Sequence, residues 1–104
     1  MLTLPIKKKW FDMILSGEKK EEYREIKPYY TSRFNFEDEI DEYGNIGHTF
    51  QSNMNVIFRN GYSSNSPKIQ CYVKIQKGYG KEEWGAEPNK EYYVLKILSV
   101  EEVK

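Results

Sequence analysis

The sequence predicts an α+β fold, a small β-barrel of about five to six strands with two short helices near the N-terminus. Three observations carry that expectation. Lys68 to Lys77 alternates cleanly, with Ile69, Cys71, Val73 and Ile75 on one face and Lys68, Gln70, Tyr72, Lys74 and Gln76 on the other. That is the period of a strand with one wet face. Helical spacing is confined to the first third of the chain, and the remaining apolar runs are short and end in turn residues, as in a small barrel.

Taken in order, Leu2 to Ile6 is a short apolar run that reads as the first strand. In Lys7 to Ser16, Trp10, Met13 and Ile14 share a face at i, i+3, i+4 spacing, so a helix of about two to three turns follows. Gly17 is its stop signal. Lys20 to Ile26 alternates charges with Tyr23 and Ile26, as suits a strand with one face toward solvent or a ligand. Pro28 opens a second short helix through Arg33, with Tyr29, Tyr30 and Phe34 as its apolar contacts. Residues 35–53 are acidic, carry Gly44 and Gly47 and have no period, which predicts a long surface-loop insertion. Asn55 to Arg59 is a strand ending at the turn signal Asn60-Gly61. The alternating strand from Lys68 should break at Gly78-Tyr-Gly80, a polar loop with Trp84-Gly85 and Pro88 follows, and Tyr92 to Val103 is the last strand. Tyr93, Leu95 and Ile97 share one of its faces.

The 104 residues make one domain, residues 1–104, with room for one modest core. The single cysteine, Cys71, precludes an internal disulfide, and with His48 as the lone histidine it builds no zinc knuckle, so neither metal nor cofactor is expected. The N-terminus lacks the apolar core of a signal peptide and no apolar run approaches bilayer length, so the expectation is a cytoplasmic protein without membrane contact. Net charge is formally zero, yet unevenly spread. Arg59, Lys68, Lys74, Lys77 and Lys81 lie in a stretch without an acid, whereas Glu37, Asp38, Glu39, Asp41 and Glu42 lie in one without Lys or Arg. The pattern reads either as two solvated faces or as a basic surface for a polyanion.

One motif carries chemistry. Gly17-Glu-Lys-Lys-Glu-Glu-Tyr-Arg24 leaves a helix and opens a strand, placing Lys19, Glu22 and Arg24 within a few residues. A mobile point charge and a rigid planar fork beside one carboxylate can clamp a phosphate or a base edge. The same trio can equally be an exposed salt-bridge ladder worth about 0.2–1 kcal/mol per pair.

This segment resembles the ASCH family of PUA-like β-barrels at Gly17, Lys19, Glu22 and Arg24. Leu4-Pro-Ile-Lys7, Ile14-Leu-Ser-Gly17, Phe58-Arg-Asn-Gly61, Gly78 to Glu87 and Tyr92 to Ile97 are similar, in the same order, to segments of small bacterial and phage members. The resemblance implies a PUA-like barrel and two functions. The first is nucleic-acid binding, RNA above all, through Lys19, Arg24, Arg59 and the basic segment to Lys81. The second is hydrolysis of the acyl amide of a modified, cytidine-like nucleoside, which relatives perform with a lysine, a threonine and a glutamate. Lys19 matches that lysine and Glu22 replaces the threonine. The second acid falls among Glu82, Glu83 and Glu87, with Glu87 the candidate. A carboxylate beside Lys19 should raise the lysine's pKa and make it a poorer base.

Further candidates have two readings each. Arg59 and Asn60 offer a guanidinium and an amide to a ligand, or form a hairpin turn. Trp84 stacks on a base or plugs the barrel. Tyr23 and Tyr72 are candidate stacking surfaces. Cys71 reads as core. The acidic insertion could also dock a protein partner.

Overall fold

The computed structural model describes residues 1–35, 38–40, 42–44, 46–48 and 53–103. Strand β1 (Leu2–Ile6) leads into helix α1 (Lys8–Ser16), which ends as its sequence predicts: Gly17 takes φ 86° and its N–H returns to the Ile14 carbonyl. Strand β2 (Glu21–Glu25) precedes helix α2 (Pro28–Phe34), which Pro28 opens and Asn35 closes in the left-handed region at φ 50°. A small antiparallel pair follows, β3 (Asp38–Ile40) with β4 (Ile46–His48), then the long strands β5 (Met54–Asn60), β6 (Lys68–Tyr79) and β7 (Glu91–Val103).

Five strands form one sheet in the order β1-β5-β6-β7-β2, curled into a half-barrel. β1 runs parallel to β5, and the other neighbours are antiparallel. The concave face holds the core: Leu4 and Ile6, Val56 and Phe58, Ile69, Cys71, Val73 and Ile75, Tyr93 and Leu95, closed by Phe11 and Ile14 of α1 and Phe34 of α2. Burial pushes the Cys71 thiol up to about 12, so it is an inert packing group. No helix among the described residues is long and apolar enough to cross a membrane.

Two local expectations change. The segment 35–53 is not uniformly loop, because it contains the β3–β4 pair; three-residue strands are too short to show a period in sequence. Strand β6 continues through Gly78 and Tyr79, which pair with Tyr92 and Glu91, so Gly78 does not break it. A glycine at 78, opposite Tyr92, is tolerated because ladder hydrogen bonds need no side chain. Farther along, the β6–β7 register passes from Tyr72↔Ser99 to Val73↔Ile97, leaving Leu98 unpaired in a bulge. Ile97 and Val100 can then both pack against the core while Leu98 turns outward.

Candidate ligand cleft

The site grows from the register of β2. Glu22 stands opposite Leu95 and Arg24 opposite Tyr93. Those β7 side chains belong to the core, so the alternation of a strand turns Glu22 and Arg24 inward as well. Tyr23, opposite Val94, lies on the other face. Lys19 sits in the connection before β2, where its N–H bonds to the Met13 carbonyl at 2.9 Å.

These three charged side chains form a buried chain of contacts rather than a surface ladder. The Lys19 ammonium lies 3.1 Å from Glu22 Oε1 and donates to the Trp84 carbonyl; the residue is 1% exposed. The rings of Trp10 and Tyr23 stand 4.6 and 5.1 Å from the same ammonium. Glu22 Oε1 also accepts the Tyr23 N–H, and Oε2 accepts Arg24 Nη2 at 2.8 Å. Nη2 reaches on to the Pro5 carbonyl at 3.1 Å, tying the two edge strands β1 and β2 together, while Nη1 meets the Tyr30 hydroxyl. Arg24 Nε is buried and has no partner among the described residues.

Burial lowers the Lys19 pKa below its ordinary value, and the attraction of Glu22 only partly opposes this. The sequence expectation of a raised lysine pKa is thereby reversed, because desolvation cannot be seen before the chain is folded. Burial likewise raises the Tyr23 pKa, so its hydroxyl stays protonated.

One wall of the site is the strap between β6 and β7, residues 80–90, which includes a single turn at Glu82–Trp84. Among the described residues three hydrogen bonds hold it to the body of the fold: Lys19 to the Trp84 carbonyl, the Lys81 N–H to Tyr23 Oη, and the Glu87 N–H to Tyr92 Oη. Lys90 also pairs with Glu25 of β2 at 3.6 Å. Close approach requires small residues. A Cβ at Gly80 would fall 2.5 Å from the Tyr23 ring, and one at Gly85 would fall 3.1 Å from Trp10.

Between strap, β2 and the start of α1 lies a cleft of about 570 Å³, the size of a small-molecule pocket. Trp10, Tyr23, Tyr62, Trp84 and Tyr92 supply its aromatic walls. Lys7, Lys8, Glu22, Arg24 and Asn60 supply its polar groups, with Pro5, Ile6, Gly61 and Gly85 between them. Lys19 stands behind Glu22 instead of on the wall. Among the described residues no cluster of three or more His, Cys, Asp or Glu is arranged to hold a metal.

The fold therefore brings Glu22, Tyr23, Arg24, Asn60 and Trp84 together around one cavity, with Lys19 directly behind it. Arg59 is held on its own turn, Nε to the Gly61 carbonyl at 3.1 Å. Glu87 lies outside the cleft, its side chain 71% exposed and 3.7 Å from Lys90, beside an adjoining depression that shares Arg24 and Tyr92. Its backbone N–H is pinned by the Tyr92 hydroxyl, and its carboxylate lies beside Lys90. Glu82 and Glu83 are exposed, as is Tyr72.

Sequence reasoning missed Trp10, Tyr62, Tyr92 and the two lysines at the rim. Trp10 shares its helix face with core residues, and only its place at the open end of α1 sets it apart. The Lys7-Lys-Lys9 run was the available signal for the rim.

No family model, curated protein or solved structure matches this chain.

Proposed function

We propose that this protein is an ASCH-type, PUA-like module that seats one unpaired base of an RNA strand in the cleft. The supporting observation is the state of Glu22: both oxygens are engaged by fixed cations, Lys19 on one and Arg24 on the other. A carboxylate has about four acceptor positions. Lys19, Tyr23 N–H and Arg24 occupy three, which leaves one rigidly aimed acceptor for a donor on a ligand. Flat rings line the same space, and stacking on aromatics suits any base, since each has a π-face. Lys19 acts here through Glu22, as a buried positioning residue.

Binding of short single-stranded RNA tests this directly. The chain's two tryptophans both line the cleft, so their emission should change on binding. Affinity should fall steeply with salt. RNA that leaves tryptophan emission and melting temperature unchanged at low salt would sink the proposal.

A second reading is amide hydrolysis of an N-acylated, modified-cytidine-like nucleoside, and the lowered Lys19 pKa favours it. Against it, the ammonium is wholly shielded from solvent and Glu87 lies outside the cleft, exposed beside Lys90. Turnover of an N-acylated cytidine that Lys19→Ala abolishes would establish hydrolysis over simple binding.

A further inference from the structure

The chain is neutral overall, but the cleft is not. Of the charged residues on its wall, Lys7, Lys8 and Arg24 are cations and Glu22 is the one acid. Lys19 adds a further cation directly behind Glu22, and Lys9 places its ammonium 4.6 Å from the Trp10 ring, just outside the wall. Arg24 and Lys19 both contact Glu22, so that carboxylate is already more than balanced. Lys8 leans on Asp12 at the surface. Lys7 makes no ion pair among the described residues. The excess positive charge thus sits at the rim, beside a ring-lined cavity, where low-dielectric walls strengthen its field. A neutral nucleoside leaves that charge unused, and a cationic ring is repelled by it.

We propose that the ligand is phosphorylated: the ring lies in the cleft against Trp10, and the phosphate adjoining it is held at the rim by Lys7 and Lys8. The inference rests on the base-seating role proposed above and adds to it the place of the phosphate and the groups that hold it. Arg24 is set aside as the phosphate ligand because Glu22, the Pro5 carbonyl and the Tyr30 hydroxyl hold its guanidinium in a buried network. The Lys8–Asp12 pair, by contrast, is solvent-exposed and open to exchange.

Titration calorimetry on the full chain compares each common ribonucleoside with its 5′- and 3′-monophosphates at low and moderate salt, alongside inorganic phosphate. The double variant Lys7→Gln, Lys8→Gln is measured in parallel. At low salt a monophosphate is expected to bind at least about tenfold more tightly than its nucleoside, and the advantage should shrink with salt and vanish in the double variant. Equal affinity of nucleoside and monophosphate overturns the proposal and leaves base seating standing. So does a phosphate advantage that survives the double variant. Phosphate binding as tightly as the nucleotides removes the ring from the account. If only longer RNA binds, the slope of log affinity against log salt should flatten by about 0.7 for each rim lysine replaced; an unchanged slope is a refutation. Binding by none of these removes both the inference and the function it rests on.

Discussion

The Lys19 ammonium lies 3.1 Å from Oε1 of Glu22, with the lysine side chain fully shielded from solvent and the glutamate side chain 8% exposed. Taking two charges out of water costs several kcal/mol for each ion, and their mutual attraction with the surrounding hydrogen bonds must offset it. Removing one partner alone is therefore the severe perturbation.

Lys19→Met should lower the unfolding free energy by about 3–5 kcal/mol, since Glu22 is left buried with Arg24 alone. Adding Glu22→Gln should recover part of that loss. Urea denaturation of the two variants measures both. A single variant as stable as wild type would show that water already reaches the pair.

The lowered Lys19 pKa has a consequence for pH. A lysine whose folded pKa lies below its unfolded value near 10.5 binds fewer protons in the native state. Stability then rises with pH across the interval between the two values and levels off above the upper one. Wild type should gain stability relative to Lys19→Met, Glu22→Gln through the alkaline range. The raised Cys71 pKa acts in both proteins and cancels in the difference, and that of Tyr23, set first by burial, cancels apart from the smaller part that Glu22 contributes. Denaturation at successive pH values tests the sign, and a difference that falls as pH rises would contradict the burial of the ammonium.

Gly80→Ala should destabilise the protein by about 1–3 kcal/mol, the usual cost of overpacking, because the new methyl collides with the Tyr23 ring and with Ala86. The strap should also shift, weakening RNA binding beyond what lost stability accounts for. Thermal melts and titrations on the same preparation separate the two effects.

Trp10→Ala should weaken binding of RNA by about 1–3 kcal/mol, the range for removal of one stacking surface. Trp10→Phe should keep most of the affinity, as a ring remains. Equal losses for both would mean that Trp10 supports the Gly85 segment and does not meet the ligand.

Much of the architecture was legible beforehand because it is written locally. Gly17 stops α1, Pro28 opens α2, and the alternation from Lys68 marks β6, each through the conformational preference of a few neighbouring residues. What escaped was either too short to have a period, as with β3 and β4, or set by pairing between distant strands, as with the Leu98 bulge.

The site divides in the same way. Sequence by itself determined which residues stand within reach of one another on β2, because a strand's period puts Glu22 and Arg24 on one face and Tyr23 on the other. Tertiary structure alone decided that this face points inward. It also carried Trp84 to Lys19 across 65 residues of chain, brought Trp10 and Tyr92 to the same cavity and sent Glu87 away from it. Burial, and with it the lowered Lys19 pKa, depends on what packs over a side chain, and nothing in the local sequence encodes that.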